Sequence, residues 1–118
     1  MALRRIKTHS AQTGYVYEYY FVGKRRSLPG ETAATEYIFD ASADRKTRFS
    51  VSVFVPDEAA HEWASSHGRT LTDPEQYAAA KMRLLQGFDE IEDMLKAGRR
   101  LTLDGGEIAT LLGEIGVE

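Results

Sequence analysis

Cysteine is absent from all 118 residues. This excludes disulfides, thiolate metal ligands and thiol catalysis, and fits a reducing compartment, with the cytoplasm as the default expectation. Long hydrophobic runs are missing too: charge interrupts each apolar stretch within a few residues, far short of the roughly 20 needed to cross a bilayer. The opening Met1-Ala-Leu-Arg-Arg-Ile-Lys7 is basic but has no apolar signal-peptide core, so neither export nor a membrane partner is expected. Repeats, low-complexity tracts and Pro/Ser-rich linkers are likewise lacking, which leaves one domain over 1–118 as the expected organisation.

The usual catalytic and ligand motifs are also missing. There is no G-x-S-x-G elbow, and Ser65 and Ser66 beside His67 would point about 100° apart on a helix, so no nucleophile is expected. His61 and His67 are six residues apart, whereas a zinc-binding helix needs histidines four apart to face one ion. The run Asp89, Glu90, Glu92, Asp93 has neither EF-hand spacing nor a glycine turn and reads as a solvated helix face. Gly23-Lys24 lacks the upstream glycine of a P-loop, and Gly105-Gly106 reads as a turn before a helix. No catalytic residue, metal ligand or cofactor is expected, and the chain is read as more consistent with a non-enzyme.

What the sequence does contain is an ordinary globular balance, 42% apolar and 28% charged, which supports a folded core. The net charge of −3 hides a gradient. Through Val55 there are nine Lys or Arg against five Asp or Glu, and beyond it six against thirteen. A basic first half and an acidic second half can steer a partner of opposite sign.

Residues 1–13 carry too little pattern to assign and are taken as a flexible lead-in. Tyr15–Val22, Thr35–Ala41 and Arg48–Val55 alternate or are dense in β-branched and aromatic residues, which predicts three strands within 14–55. In the third, Phe49, Val51, Val53 and Val55 share one face, the period of a sheet covered on one side. Gly23–Glu31 reads as a loop with a basic shoulder, turned by Pro29-Gly30. The segment 56–118 reads as helical. Pro56-Asp57-Glu58 starts a helix that Gly68 stops, and Thr72-Asp73-Pro74-Glu75 caps a longer one reaching about Ala97, closed by Gly98. Its Tyr77, Leu84, Phe88, Ile91 and Leu95 form one apolar stripe. Leu101 and Leu103 suggest a small strand, and Asp104-Gly-Gly-Glu107 caps a last short helix. The expected fold is α+β: a three- to four-stranded antiparallel meander packed on one face by carboxyl-terminal amphipathic helices.

Strand one carries rings on both faces, with Tyr15, Tyr17, Tyr19 and Phe21 on one and Val16, Glu18, Tyr20 and Val22 on the other. A sheet covered on one side needs only one such face. The first functional expectation is therefore a protein-interaction or regulatory domain. It would act as a homodimer, or with another protein, through an aromatic sheet face or strand edge. The residues singled out for this are Tyr15, Tyr17, Tyr19, Tyr20, Lys24, Arg25, Arg26, Arg45, Lys46 and Arg48. An alternative is a small-ligand pocket or enzyme site between sheet and long helix, lined by Tyr37, His61 and Trp63. A third is nucleic-acid binding by the basic loops and tyrosines, against which the negative net charge argues. The strand–strand–strand–helix–helix order is shared by too many unrelated proteins to decide among them.

Overall fold

A computed structural model describes residues 5–118. It contains a five-stranded sheet ordered β1 (Lys7–Ser10), β2 (Val16–Ser27), β3 (Ala34–Ser42), β4 (Phe49–Pro56) and β5 (Arg100–Thr102). The first four strands form the expected antiparallel meander, while β5 returns parallel to β4 after the helices. Parallel pairing needs a long crossover, which here is made by α1 (Asp57–His67), α2 (Asp73–Glu90) and the single turn α3 (Met94–Ala97). The chain closes with α4 (Gly105–Glu114).

The helix starts follow their local chemistry. Thr72 and Glu75 exchange side-chain and backbone bonds in a capping box, as do Asp104 and Glu107. Gly68 ends α1 at φ +72°, a left-handed value that glycine adopts without steric cost. One face of the sheet supplies Tyr17, Tyr19, Tyr37, Phe39, Val51, Val53 and Val55, and the helices lay Trp63, Ala80, Leu84, Phe88, Ile108 and Leu112 over it. Phe88 stacks on Tyr17 with ring centroids 4.1 Å apart.

Three expectations need correction. The lead-in is not patternless throughout, because Lys7–Ser10 pairs with β2; residues 1–4 of that expectation lie outside the described residues. The basic shoulder is not a loop. Strand β2 runs on through Ser27 because β3 supplies backbone partners as far as Ala34, and a 3-10 turn at Pro29–Glu31 makes the reversal. The long helix stops at Glu90 rather than Ala97. Asp93 accepts the Lys96 backbone N–H and so starts a new turn, leaving Leu95 exposed while Met94 enters the core in its place.

Candidate interaction surface

All the helices lie on one side of the sheet, so the other face has no helix over it. Its composition is set by strand alternation and one irregularity. Opposite β3 the register shifts between Phe21 and Gly23, making Val22 the extra residue of a β-bulge. Without that residue Lys24 would oppose Glu36; with it, Arg25 does. The bulge thereby re-aims the basic run. Arg25 joins the helix-free face, while Lys24 and Arg26 turn toward the helix layer, where they meet Asp73 at 4.0 Å and Asp57 respectively.

Glu36 lies on this face yet is only 5% exposed. Arg25 donates to it from Nε at 2.9 Å, and the Ser52 hydroxyl donates at 2.6 Å. A buried carboxylate requires such donors. The Arg25 guanidinium holds the Glu36 carboxyl below its ordinary range, against the opposing effect of burial. Further along, Arg48 pairs with Asp40, reaches Glu18 at 3.9 Å and lies over the Tyr20 ring, while Arg45 meets Glu18 at 3.4 Å. Arg100 covers Phe54, with its guanidinium carbon 4.8 Å from the ring centroid. Between these charged groups run Val16, Tyr20, Val22 and Ile38, of which Val16 is 50% and Val22 45% exposed.

The ten residues singled out from sequence therefore separate. Tyr17 and Tyr19, 2% and 4% exposed, belong to the core. Tyr15 is half exposed at the end of the sheet, where its ring meets that of Tyr17. Tyr20, Arg25, Arg45 and Arg48 gather on the helix-free face, whereas Lys24 and Arg26 face the helices. Lys46 sits in the β3–β4 turn, its backbone N–H donated to Asp44. Sequence reasoning missed Glu36, because a glutamate in a strand reads as solvent-facing unless its partner across the sheet is known.

Tyr37, His61 and Trp63 are not brought together. Tyr37 is packed beside Phe21 and Tyr77; Trp63 is buried against the His67 ring at 4.0 Å; His61 is exposed. The neighbouring serine and histidine are not a catalytic pair. His67 Nδ1 lies 2.8 Å from the Trp63 carbonyl, which can only accept, so Nδ1 carries the proton and cannot take one from the Ser66 hydroxyl. His9 bonds Asp89 at 2.9 Å, and Asp89 also accepts the Gln12 backbone N–H, so that carboxylate ties the amino-terminal hairpin to α2.

Among the described residues no helix is long and apolar enough to cross a membrane, and no group of three or more His, Asp or Glu is placed to hold a metal ion. No protein-family model, curated protein or solved structure matches this chain, so its own geometry carries the functional reading.

Proposed function

We propose that the chain is a protein-interaction domain that works in the cytoplasm as a homodimer, joined through the helix-free face of its sheet. The observation that carries this reading is that face itself: an apolar strip of Val16, Tyr20, Val22 and Ile38 has no helix above it and is half exposed at both valines. Arg25, Arg45, Arg48 and Arg100 alternate there with Glu18, Glu36 and Asp40. A two-fold copy of such a surface meets mixed charge rather than a uniform field of its own sign, and two-fold pairing is the commonest closed assembly.

The strand edge is the less favourable surface. Among the described residues β1 pairs only with Val16–Tyr19, so the rest of the outer edge of β2 has no strand beside it. That stretch, however, carries a bulge and Lys24-Arg25-Arg26, devices that oppose edge-to-edge pairing.

Light scattering with gel filtration tests the face. The wild type is expected to be dimeric at about 50 µM and Val22→Glu monomeric, while Leu28→Glu in the β2–β3 connection leaves the dimer intact. A wild type that stays monomeric to about 1 mM overturns the reading.

A further inference from the structure

Strand β5 closes the sheet on the side away from β1, and among the described residues no strand lies beyond it. In a parallel ladder, alternate residues turn both backbone groups to the same neighbour. The Ser52 N–H donates to the Arg99 carbonyl and the Leu103 N–H to the Phe54 carbonyl, so Arg99, Leu101 and Leu103 face β4. Arg100 and Thr102 therefore turn their backbone groups outward, and both residues are exposed. Arg83 on α2 donates from Nε to the Thr102 carbonyl at 3.1 Å. The Arg100 and Thr102 N–H groups and the Arg100 carbonyl make no hydrogen bond among the described residues.

A cavity of about 430 Å³ opens beside this edge. By strand alternation Phe54 and Pro56 on β4 share the helix-free face with Arg100 and Thr102 on β5, and Pro29 from the 3-10 turn completes an apolar wall. The volume lies in the range of ligand sites, roughly 300–1,000 Å³, and leaves room for an aliphatic side chain. Glu58, in the first turn of α1, is the one carboxylate among the described lining residues.

The charge around β5 differs from that elsewhere in the molecule. Arg25, Arg26, Arg45, Arg48 and Arg69 each have a carboxylate within 4.0 Å. Arg83, Arg99 and Arg100, which stand on the two faces of β5 and at its start, are in no ion pair among the described residues. Arg99 donates to the Ser50 carbonyl at 3.0 Å, and Arg100 lies over the Phe54 ring. Arg83 bonds the Thr102 carbonyl from Nε, while its Nη1 is buried with no partner among the described residues. Three uncompensated guanidinium charges thus surround three free backbone groups and an apolar recess.

We infer that the β5 edge docks an extended acidic segment of a partner protein, which adds a sixth strand to the sheet. Main-chain bonds to Arg100 and Thr102 hold the segment. Its alternate side chains carry the specificity, with carboxylates meeting Arg100 and Arg83 on the two faces and an apolar residue entering the recess at Phe54. Glu58 repels a carboxylate at its own end of the recess, so the acidic residue on that face belongs over Arg100. The shortness of β5 and the Arg83 cap on Thr102 discourage pairing with unselected strands. A nucleic acid would use the guanidinium groups but not the alternating donors and acceptor of the edge. Strand β5 lies three strands from β2, about 14 Å from the Val16–Val22 strip, so the site does not rest on the dimer reading, although Arg100 stands at the margin of that face.

Titration of ¹⁵N-labelled protein with a Val-Glu-Val-Glu-Val-Glu peptide with blocked ends tests the inference. Saturable amide shifts and slowed hydrogen exchange are expected at Arg100 and Thr102, in the wild type and equally in Val22→Glu. A Val-Lys-Val-Lys-Val-Lys peptide is expected to bind at least about tenfold more weakly. Two further peptides carry N-methyl groups at every glutamate or at every valine; the one whose methyls meet β5 is expected to weaken by about tenfold or more. Arg100→Gln changes an exposed side chain and is expected to weaken binding about tenfold, the scale of a charge-assisted hydrogen bond, while Arg45→Gln leaves it unchanged. Absence of saturation by about 2 mM, full binding by both N-methylated peptides, unchanged affinity in Arg100→Gln, or loss of binding in Val22→Glu overturns the inference. The same shifts produced by hexathymidylate would assign the arginines to nucleic acid, and those produced by raising the protein concentration without peptide would assign the edge to a second copy; either result overturns it as well.

Discussion

Asp44 shows how one short polar side chain fixes both a turn and a charge. Its Oδ1 accepts the Thr47 and Lys46 backbone N–H groups at 2.7 and 2.8 Å, so the β3–β4 connection closes on the carboxylate. The same bonds lower its pKa from 3.8 to about 2. Because the folded value is the lower one, the stabilisation is fully present above the unfolded pKa and is lost as pH falls through the folded value. Asp44→Asn retains an acceptor oxygen but does not titrate. The difference in unfolding free energy between wild type and this variant is therefore expected to be constant from neutrality to about pH 4 and to narrow in favour of the variant toward about pH 2. Urea unfolding across that range measures it, and a gap unchanged down to pH 2 would remove the charge from the account of the turn. Glu75 acts in the same window, since the Arg69 guanidinium and the Thr72 backbone N–H bring its pKa to about 2.

At the scale of elements, the packing of α4 on α1 depends on a glycine. A Cβ built on Gly105, at the start of α4, would lie 2.7 Å from Glu62 Oε2 and 2.9 Å from Glu62 Cβ on α1. The distal oxygen can swing away, but the Cβ cannot without moving the helix. Gly105→Ala is expected to cost about 1–3 kcal/mol by forcing α1 and α4 apart. Gly106→Ala meets nothing closer than 3.4 Å and is expected to be neutral or to stabilise by up to about 1 kcal/mol through reduced freedom of the unfolded chain. Chemical denaturation of the two variants separates these outcomes, and equal stability would show that the helices can give way at this contact.

The elements legible in the sequence were those bounded by such local chemistry. Pro56, Gly68, the Thr72–Glu75 box and the Asp104–Glu107 box each act within a few residues, so α1, the start of α2 and α4 follow from them. The continuation of β2 through Lys24, Arg25 and Arg26 has no such signal, because its backbone partners belong to β3 and basic residues have no strong strand preference of their own. The break at Ile91–Asp93 contains neither proline nor glycine; only Asp93 as a cap marks it. Of the candidate surfaces, strand alternation separates Tyr17 and Tyr19 from Tyr20, but which set is covered depends on where the helices fall. A cavity at the end of the sheet joins residues 15–17, 43–49 and 92–95, so spacing along the chain does not reveal it.

For the whole molecule, the charge gradient of the sequence is largely consumed inside the fold. The basic half forms the first four strands and the acidic half forms most of the helices, and the layers neutralise each other where Lys24 meets Asp73 and Arg26 meets Asp57. Within the sheet, Arg25, Arg45 and Arg48 are matched by Glu36, Glu18 and Asp40. A polyanion approaching the helix-free face therefore meets three guanidinium groups, those of Arg25, Arg45 and Arg48, whose charge is already compensated, and Arg100 alone adds charge without a carboxylate partner among the described residues, so little counterion release is left to drive binding. The wild type is expected to elute from heparin at low salt. Glu18→Gln with Glu36→Gln removes two of the compensating charges while keeping acceptor oxygens for Arg25, Arg45 and Ser52. That double variant is expected to need a higher salt concentration for elution, and its position relative to wild type on one gradient measures the effect. If wild type were itself strongly retained and the double variant no more so, compensation by these carboxylates would not govern the surface, and the nucleic-acid reading of the basic residues would rise from third place to first.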